Sequence, residues 1–302
     1  MTKKMTLKRV ALVLVVALLV VMLCSCDVLL SILLDGMPEE YEIPEGIAEI
    51  HFIDIGQGDA TMIMADSRVM LIDTGERDSD NVLIDYLQAH GVTKLDYLVI
   101  THFDSDHFGE AEEILNTFEI VNVMIPEQVK DTNMYESFIS ALDENEDINV
   151  IFANDYVGDS LGMGQLNMDI LAPLKNNYKD SNDYSITMVA RWGNIKFLLS
   201  GDAEKEAEED IVERYTRLQL DCDVFKAGHH GSRTSSSQEL LDKASPKYIV
   251  ISCGEDNKYG HPHSEAMDRF EAIEGAEIYR TDEQGSIVFS TDGVTLTVKT
   301  EK

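Results

Sequence analysis

The chain has 302 residues, 44% of them hydrophobic and 26% charged, an ordinary globular composition that excludes a wholly disordered chain. Its 24 basic residues face 56 acidic ones, a formal net charge of −32. So acidic a chain repels nucleic acid unless a metal ion or a local basic patch intervenes, which counts against tight DNA binding but not against a metal-centred reaction at a phosphate.

Along the chain, Lys3, Lys4, Lys8 and Arg9 precede an apolar run from Val10 through Leu23 that ends in Leu23-Cys24-Ser25-Cys26. A basic stretch, an apolar stretch and small residues at a cleavage point form an export signal. The segment resembles the signal of bacterial lipoproteins, which implies a signal peptide over residues 1–25 and lipidation of Cys26. An uncleaved anchor is the competing reading, because apolar residues continue to Leu34. Both readings place the rest outside the cytoplasm. Removal of residues 1–25 leaves 20 basic against 56 acidic residues. Residues 26–46 then read as a lipid-anchored tether, polar from Asp35 to Gly46, and residues 47–302 as one domain.

Strand-like apolar segments predict strands at Glu49–Ile53, Ala60–Ala65 and Val69–Ile72, then a helix over Asn81–His90. A strand at Tyr97–Ile100, a helix over Glu110–Phe118, a strand at Val121–Ile125, a helix over Met134–Asn145 and a strand at Val150–Phe152 follow. The second half repeats the style, with strands at Ile186–Arg191, Lys196–Leu199, Asp223–Lys226 and Tyr248–Ser252. Helices fit Ala203–Tyr215, Ser237–Ala244 and Ser264–Ile273, and Ile278–Val298 closes the chain as strands. Strands mixed with single helices in both halves predict an α/β fold with helices packed outside two central sheets. Cys222 and Cys253 each border an apolar run and are expected as two buried thiols.

Within LVITHFDSDHFGEAEEIL, residues 98 to 115, His102, Asp104, Asp106 and His107 fall between a strand and a helix. A loop held at both ends aims such side chains at one point, and imidazole with carboxylate is a ligand mixture for zinc, manganese or iron. Helix capping by Asp106 explains one aspartate and leaves both histidines unexplained.

This motif resembles the His-x-His-x-Asp-His signature of the metallo-β-lactamase superfamily, with Asp104 at the second histidine. The substitution is typical of the nuclease domain of competence DNA-internalisation proteins and of related surface phosphodiesterases. HFIDIGQGDATMI at 51–63, LIDTG at 71–75, NDYSITMVARWGNIKFLLSGD at 182–202, FKAGHHGSRTSSS at 225–237 and NKYGHPH at 257–263 agree in order, so the resemblance spans roughly 47–300. It implies an αββα sandwich and two divalent ions, zinc or manganese. By resemblance, His102 and Asp104 hold one ion, Asp106 and His107 the second, and Asp202 bridges them. One of His229 and His230 completes the second site. Asp73 supports the loop from behind, and Asp59 sits at the same rim, where Gly56 and Gly58 let the backbone pass close. No histidine occurs between His107 and His229, so the resemblance leaves Asn182 or Asp183 to stand in for the usual middle ligand.

Asp106, His261 and Lys226 are the expected catalytic groups, His261 as general acid and Lys226 as the cation that neutralises a phosphate. Arg233 in the hydroxyl-rich GSRTSSS offers a further positive charge. His263 has weaker support, and His51 and His90 read as strand-edge and helix-end residues. These assignments imply a phosphodiesterase or nuclease acting on DNA or a surface polymer. A choline-phosphate esterase, another ester or lactone hydrolase, and a non-catalytic binding lipoprotein are the alternatives.

Overall fold

Period-two alternation of apolar residues sorts the strands of this chain into layers. In the computed structural model, which describes residues 41, 43–77 and 80–302, β1 (Ala48–Phe52), β2 (Thr61–Ala65), β3 (Arg68–Ile72), β4 (Lys94–Val99), β5 (Glu119–Ile125) and β6 (Asn149–Phe152) build most of one sheet. There follow β7 (Ser160–Met163), β8 (Leu166–Ala172), β9 (Thr187–Trp192), β10 (Ile195–Leu199), β11 (Val224–Lys226), β12 (Tyr248–Ile251), β13 (Glu277–Arg280), β14 (Ile287–Thr291) and β15 (Leu296–Thr300). The first sheet runs β15-β14-β1-β2-β3-β4-β5-β6 and the second β13-β12-β11-β10-β9-β8-β7. Each is antiparallel in one half and parallel in the other, the parallel pairs being β3 to β6 and β10 to β13.

Ile50, Phe52, Ile63 and Met70 of the first sheet meet Met168, Met188, Phe197 and Val250 of the second in one buried cluster. Phe289 packs edge-on against both Phe52 and Phe197 at 6.1 Å between ring centroids. Burial of each such ring stabilises the fold by about 1.5–3 kcal/mol. The alternate residues Ile53, Met62, Leu71 and Leu98 point outward to a helical layer, and Val189, Leu198, Phe225 and Ile249 do the same on the other side. The predicted αββα layering is therefore the observed one.

Two stretches differ from the sequence reading. The hairpin β7–β8 was not expected. Its outer strand is largely exposed, contains Gly162 and buries only Met163, so it lacks the apolar signal that marks a strand. Ile278–Val298 is not one run of strands: a short helix at Thr281–Gln284 carries the chain from β13 in the second sheet to β14 in the first.

His51 is fully buried in a central strand rather than at a sheet edge, with its Nδ1 2.9 Å from the Tyr86 hydroxyl and His90 beside it. Cys222 and Cys253 are buried free thiols. The proposed signal, Cys26 and most of the tether lie outside the described residues. Among the described residues no helix is long and apolar enough to cross a membrane.

Candidate metal centre

The chemistry-bearing residues lie at the carboxyl ends of strands, where an α/β sheet opens to ligands. Asp73 follows β3, His102 follows β4, Asp202 follows β10, His229 and His230 follow β11, and Ser252 follows β12. The motif loop is pinned from both sides. Phe103 and Phe108 sink into the outer apolar layer, their rings 5.2 Å apart, and Phe108 ends a one-turn helix, Ser105–Phe108. Behind it, Asp59 N donates to Asp106 O at 3.0 Å and Thr74 N to His107 O at 2.6 Å. A Cβ on Gly58 would stand 2.6 Å from Asp106 O, which is why that approach requires glycine.

Hydrogen bonds fix the imidazole tautomers. His107 donates from Nδ1 to Asp73 Oδ2 at 2.7 Å, leaving Nε2 to face Asp202 Oδ1 at 3.0 Å. Thr101 spends its hydroxyl proton on Asp73 Oδ2, so its oxygen accepts from His102 Nδ1 at 3.2 Å and His102 Nε2 is left free. His230 donates from Nδ1 to the Ser252 carbonyl at 3.0 Å, which turns Nε2 toward Asp106 Oδ2 at 3.3 Å and Asp202 Oδ2 at 3.6 Å. Two ring nitrogens, His107 Nε2 and His230 Nε2, thus face Asp202, and His230 Nε2 also faces Asp106.

Electrostatics follow this arrangement. Burial, then the neighbouring His107, lowers the His102 pKa to about 3. Burial also opposes charge on His107, yet Asp202 and Asp73 offset it and hold that ring well above its ordinary value. Asp106 and Asp202 stay below the usual carboxylate range, because the facing histidines outweigh the cost of burial.

Of the adjacent pair, His230 is 1% exposed and aimed inward; His229 is part-exposed and its Nδ1 bonds Glu204 Oε1 at 3.0 Å. Both have left-handed backbones, φ 50° and 55°, which lets consecutive side chains diverge. Asp104 gives Oδ1 to Lys130 at 2.6 Å and Ser181 at 2.7 Å and keeps Oδ2 4.0 Å from His102 Nε2. Asp59, His107, Asp202 and His230 form a four-residue group within 4.8 Å. Asp59, however, meets both rings on their Nδ1 side, 3.8 Å from each, so it stands behind the imidazoles rather than across the open centre.

Several expected roles change. Lys226 does not face a substrate: its side chain is 4% exposed and pairs with Asp59. Asp183 accepts from the backbone amides of Glu204 and Ala207, both at 3.1 Å, so Oδ1 caps the following helix rather than filling the middle position. Asn182 Nδ2 lies 3.3 Å from Glu204 Oε1 and 3.4 Å from His229 Nδ1, at the rim. His261 stacks near His230, ring centroids 5.9 Å apart, and burial followed by the neighbouring histidines lowers its pKa to about 4. His263 Nδ1 accepts from Arg233 N at 3.2 Å, and the exposed Arg233 guanidinium faces Glu265 at 3.8 Å. Glu204, Ser185 and Lys130 were not anticipated, because nothing local distinguishes them from ordinary polar residues.

The donor set passes a test of fit for divalent metal. His102 Nε2, His107 Nε2, His230 Nε2 and Asp202 Oδ1 are buried without a hydrogen-bond partner, a costly arrangement for groups that nothing coordinates. Since Asp73 orients His107 from behind, Asp73→Asn is expected to weaken manganese binding about 10–100-fold while the melting curve stays cooperative, as a direct metal titration would read.

A sandwich of this topology with such a donor set defines a class of metal-dependent hydrolases. The profile of the Metallo-beta-lactamase superfamily matches residues 53–255, and the chain belongs to that superfamily. ComE operon protein 3 of Bacillus subtilis is 31% identical over 259 residues, covering 80% of this chain and 33% of that protein. Competence protein ComA of Neisseria gonorrhoeae is 30% identical, with 82% and 33% covered, and recombination protein 2 of Haemophilus influenzae 29%, with 76% and 27% covered. The chain thus spans a third or less of the length of these curated relatives. YhfI of B. subtilis, a metallo-beta-lactamase fold protein, superposes with a TM-score of 0.55 at 11% identity over 81% of this chain and 100% of that one. Igni18 of Ignicoccus hospitalis, a metallo hydrolase, reaches 0.53 at 18% identity over 80% and 98%. Both likenesses concern the fold alone.

Proposed function

We propose that this chain is a metal-dependent phosphodiesterase that holds two divalent ions, with DNA or a surface polymer as substrate. The carrying observation is that His107 Nε2 and His230 Nε2 both face Asp202, that His230 Nε2 also faces Asp106, and that His102 Nε2 is buried without a partner 4.0 Å from Asp104 Oδ2. His102 and Asp104 would hold one ion and Asp106, His107 and His230 the other, with Asp202 available to both. The relatives' names, competence and recombination proteins, favour a nucleic-acid phosphodiester. An oxygen-rich first position favours manganese over tightly held zinc. Bound there, the ions would supply Lewis acidity to the phosphate and lower the pKa of a water. The chain's own part is to exclude bulk solvent, keep protons on His107 Nδ1 and His230 Nδ1, and present His261 at the mouth. Residues 1–25 export the protein and Cys26 anchors it to the membrane.

A second reading, a phosphodiester with a cationic group, draws on a cleft of about 690 Å³ lined by Glu204, Glu209, Glu213 and Glu239, which outnumber its basic residues Lys205, Arg233 and Arg269. Turnover of bis-p-nitrophenyl phosphate, a choline phosphodiester and single- and double-stranded DNA decides between them. Cleavage that chelation abolishes and manganese or zinc restores is expected; no turnover of any diester by the folded, metal-loaded protein would sink the proposal.

A further inference from the structure

An anionic substrate meets a chain of net charge −32, so a cation placed at the centre matters more than usual. Two ion pairs among the described residues join a lysine to a carboxylate of this centre, Lys226 to Asp59 and Lys130 to Asp104. Lys226 is sealed beneath the imidazoles. Lys130 differs, with a side chain 23% exposed and Nζ 2.6 Å from Asp104 Oδ1. Its ammonium has three donors, of which Asp104 takes one.

The pair is a built feature rather than a chance surface contact. Ser181 Oγ donates to the same Asp104 oxygen at 2.7 Å, Gln128 Nε2 donates to Ser181 Oγ at 3.0 Å, and Gln128 Oε1 accepts from the motif residue Phe103 at 3.2 Å. Gln128 is 7% exposed and lies two residues before Lys130, so this network sets the position of the ammonium relative to the motif loop.

We propose that Lys130 is the cation that binds an anionic oxygen of the substrate at the mouth of the centre, and that Asp104 is the tether that aims it. The carboxylate at position 104 then does two things: Oδ2 faces His102 while Oδ1 holds a charge that a neutral imidazole there could not pair. This inference rests on the phosphodiester reading, because only an anionic substrate needs such a partner.

The test uses manganese-loaded protein and its Lys130→Met and Lys130→Arg variants, with Lys130→Gln as a second truncation should Met aggregate. Steady-state cleavage of bis-p-nitrophenyl phosphate at low and high salt is measured beside calorimetric binding of inorganic phosphate. Lys130→Met is expected to raise KM and the phosphate Kd about tenfold, with a smaller fall in kcat, and the effect should shrink at high salt and be largely restored by arginine. KM and phosphate Kd within twofold of wild type would overturn the assignment. So would a fall in kcat with phosphate binding intact, since that would make Lys130 a positioning residue for Asp104. Lys130-dependent phosphate binding in a protein that cleaves no diester would uphold the anion site and fail the phosphodiesterase reading instead.

Discussion

Replacing Asp202 with alanine is expected to cost more than about 100-fold in divalent-metal affinity and to remove diester turnover with it. Loss of an outer partner of a ligand costs about 10–100-fold, so a carboxylate at the junction itself sets the higher figure. Asp202 is 2% exposed and stands 3.0 Å from His107, 3.6 Å from His230 and 3.7 Å from His229. Its backbone amide donates to Ser185 Oγ at 3.0 Å, which holds the Asp202 backbone in place. Asp202→Asn keeps the shape and loses the charge, and should fall between the two. Bound metal per chain, measured after dialysis, and initial rates check the expectation together. An Asp202→Ala chain that keeps wild-type metal content would rule out the bridging position.

Much of this site was legible because its residues are densely packed in sequence and in space. Four potential ligands within six residues need no tertiary information, and strands such as Thr61–Ala65 and Arg68–Ile72 stand out as short apolar runs. The choice between His229 and His230 was not legible, since it depends on two left-handed backbone angles and on the Ser252 carbonyl twenty-two residues away. The lysine positions were illegible for the same reason. Lys226 lies close in sequence to the histidines but pairs with Asp59 beneath them, while Lys130, far from any motif, is brought to Asp104 by the packing of the segment after β5. Asp183 sits where a ligand was wanted, yet its oxygen is claimed by two amides of a neighbouring helix. A carboxylate's partner is a tertiary property, and sequence supplies only its candidates.

The loop that follows His230 depends on a group that no motif marks, and its removal should be the most damaging change to stability. Glu208, on the helix Lys205–Arg214, is 1% exposed and accepts from the Ser236 amide at 2.5 Å and the Ser237 amide at 2.7 Å. Arg269 grips the same turn, donating to the carbonyls of Ser235 and Ser236 at 2.8 Å. Glu208→Ala strands two amides at a cost of about 1–3 kcal/mol each, so a loss on the order of 2–5 kcal/mol is expected in denaturant unfolding. The pH dependence carries a sign. Burial raises the Glu208 pKa from 4.5 to about 7, with the Ser237 and Ser236 amides and Arg269 pulling the other way. Between those values the folded chain keeps a proton that the unfolded chain has released, so this group's share of stability falls as pH rises from about 4.5 to about 7. Glu208→Gln cannot titrate, and the difference between its stability and that of wild type should shrink across that interval. Because Ser236 Oγ also accepts from the Gly228 amide at 3.1 Å, loosening the turn reaches the residue just before His229, and metal affinity should fall alongside stability. A Glu208→Ala chain that unfolds with wild type at every pH would mean that Arg269 alone holds the turn.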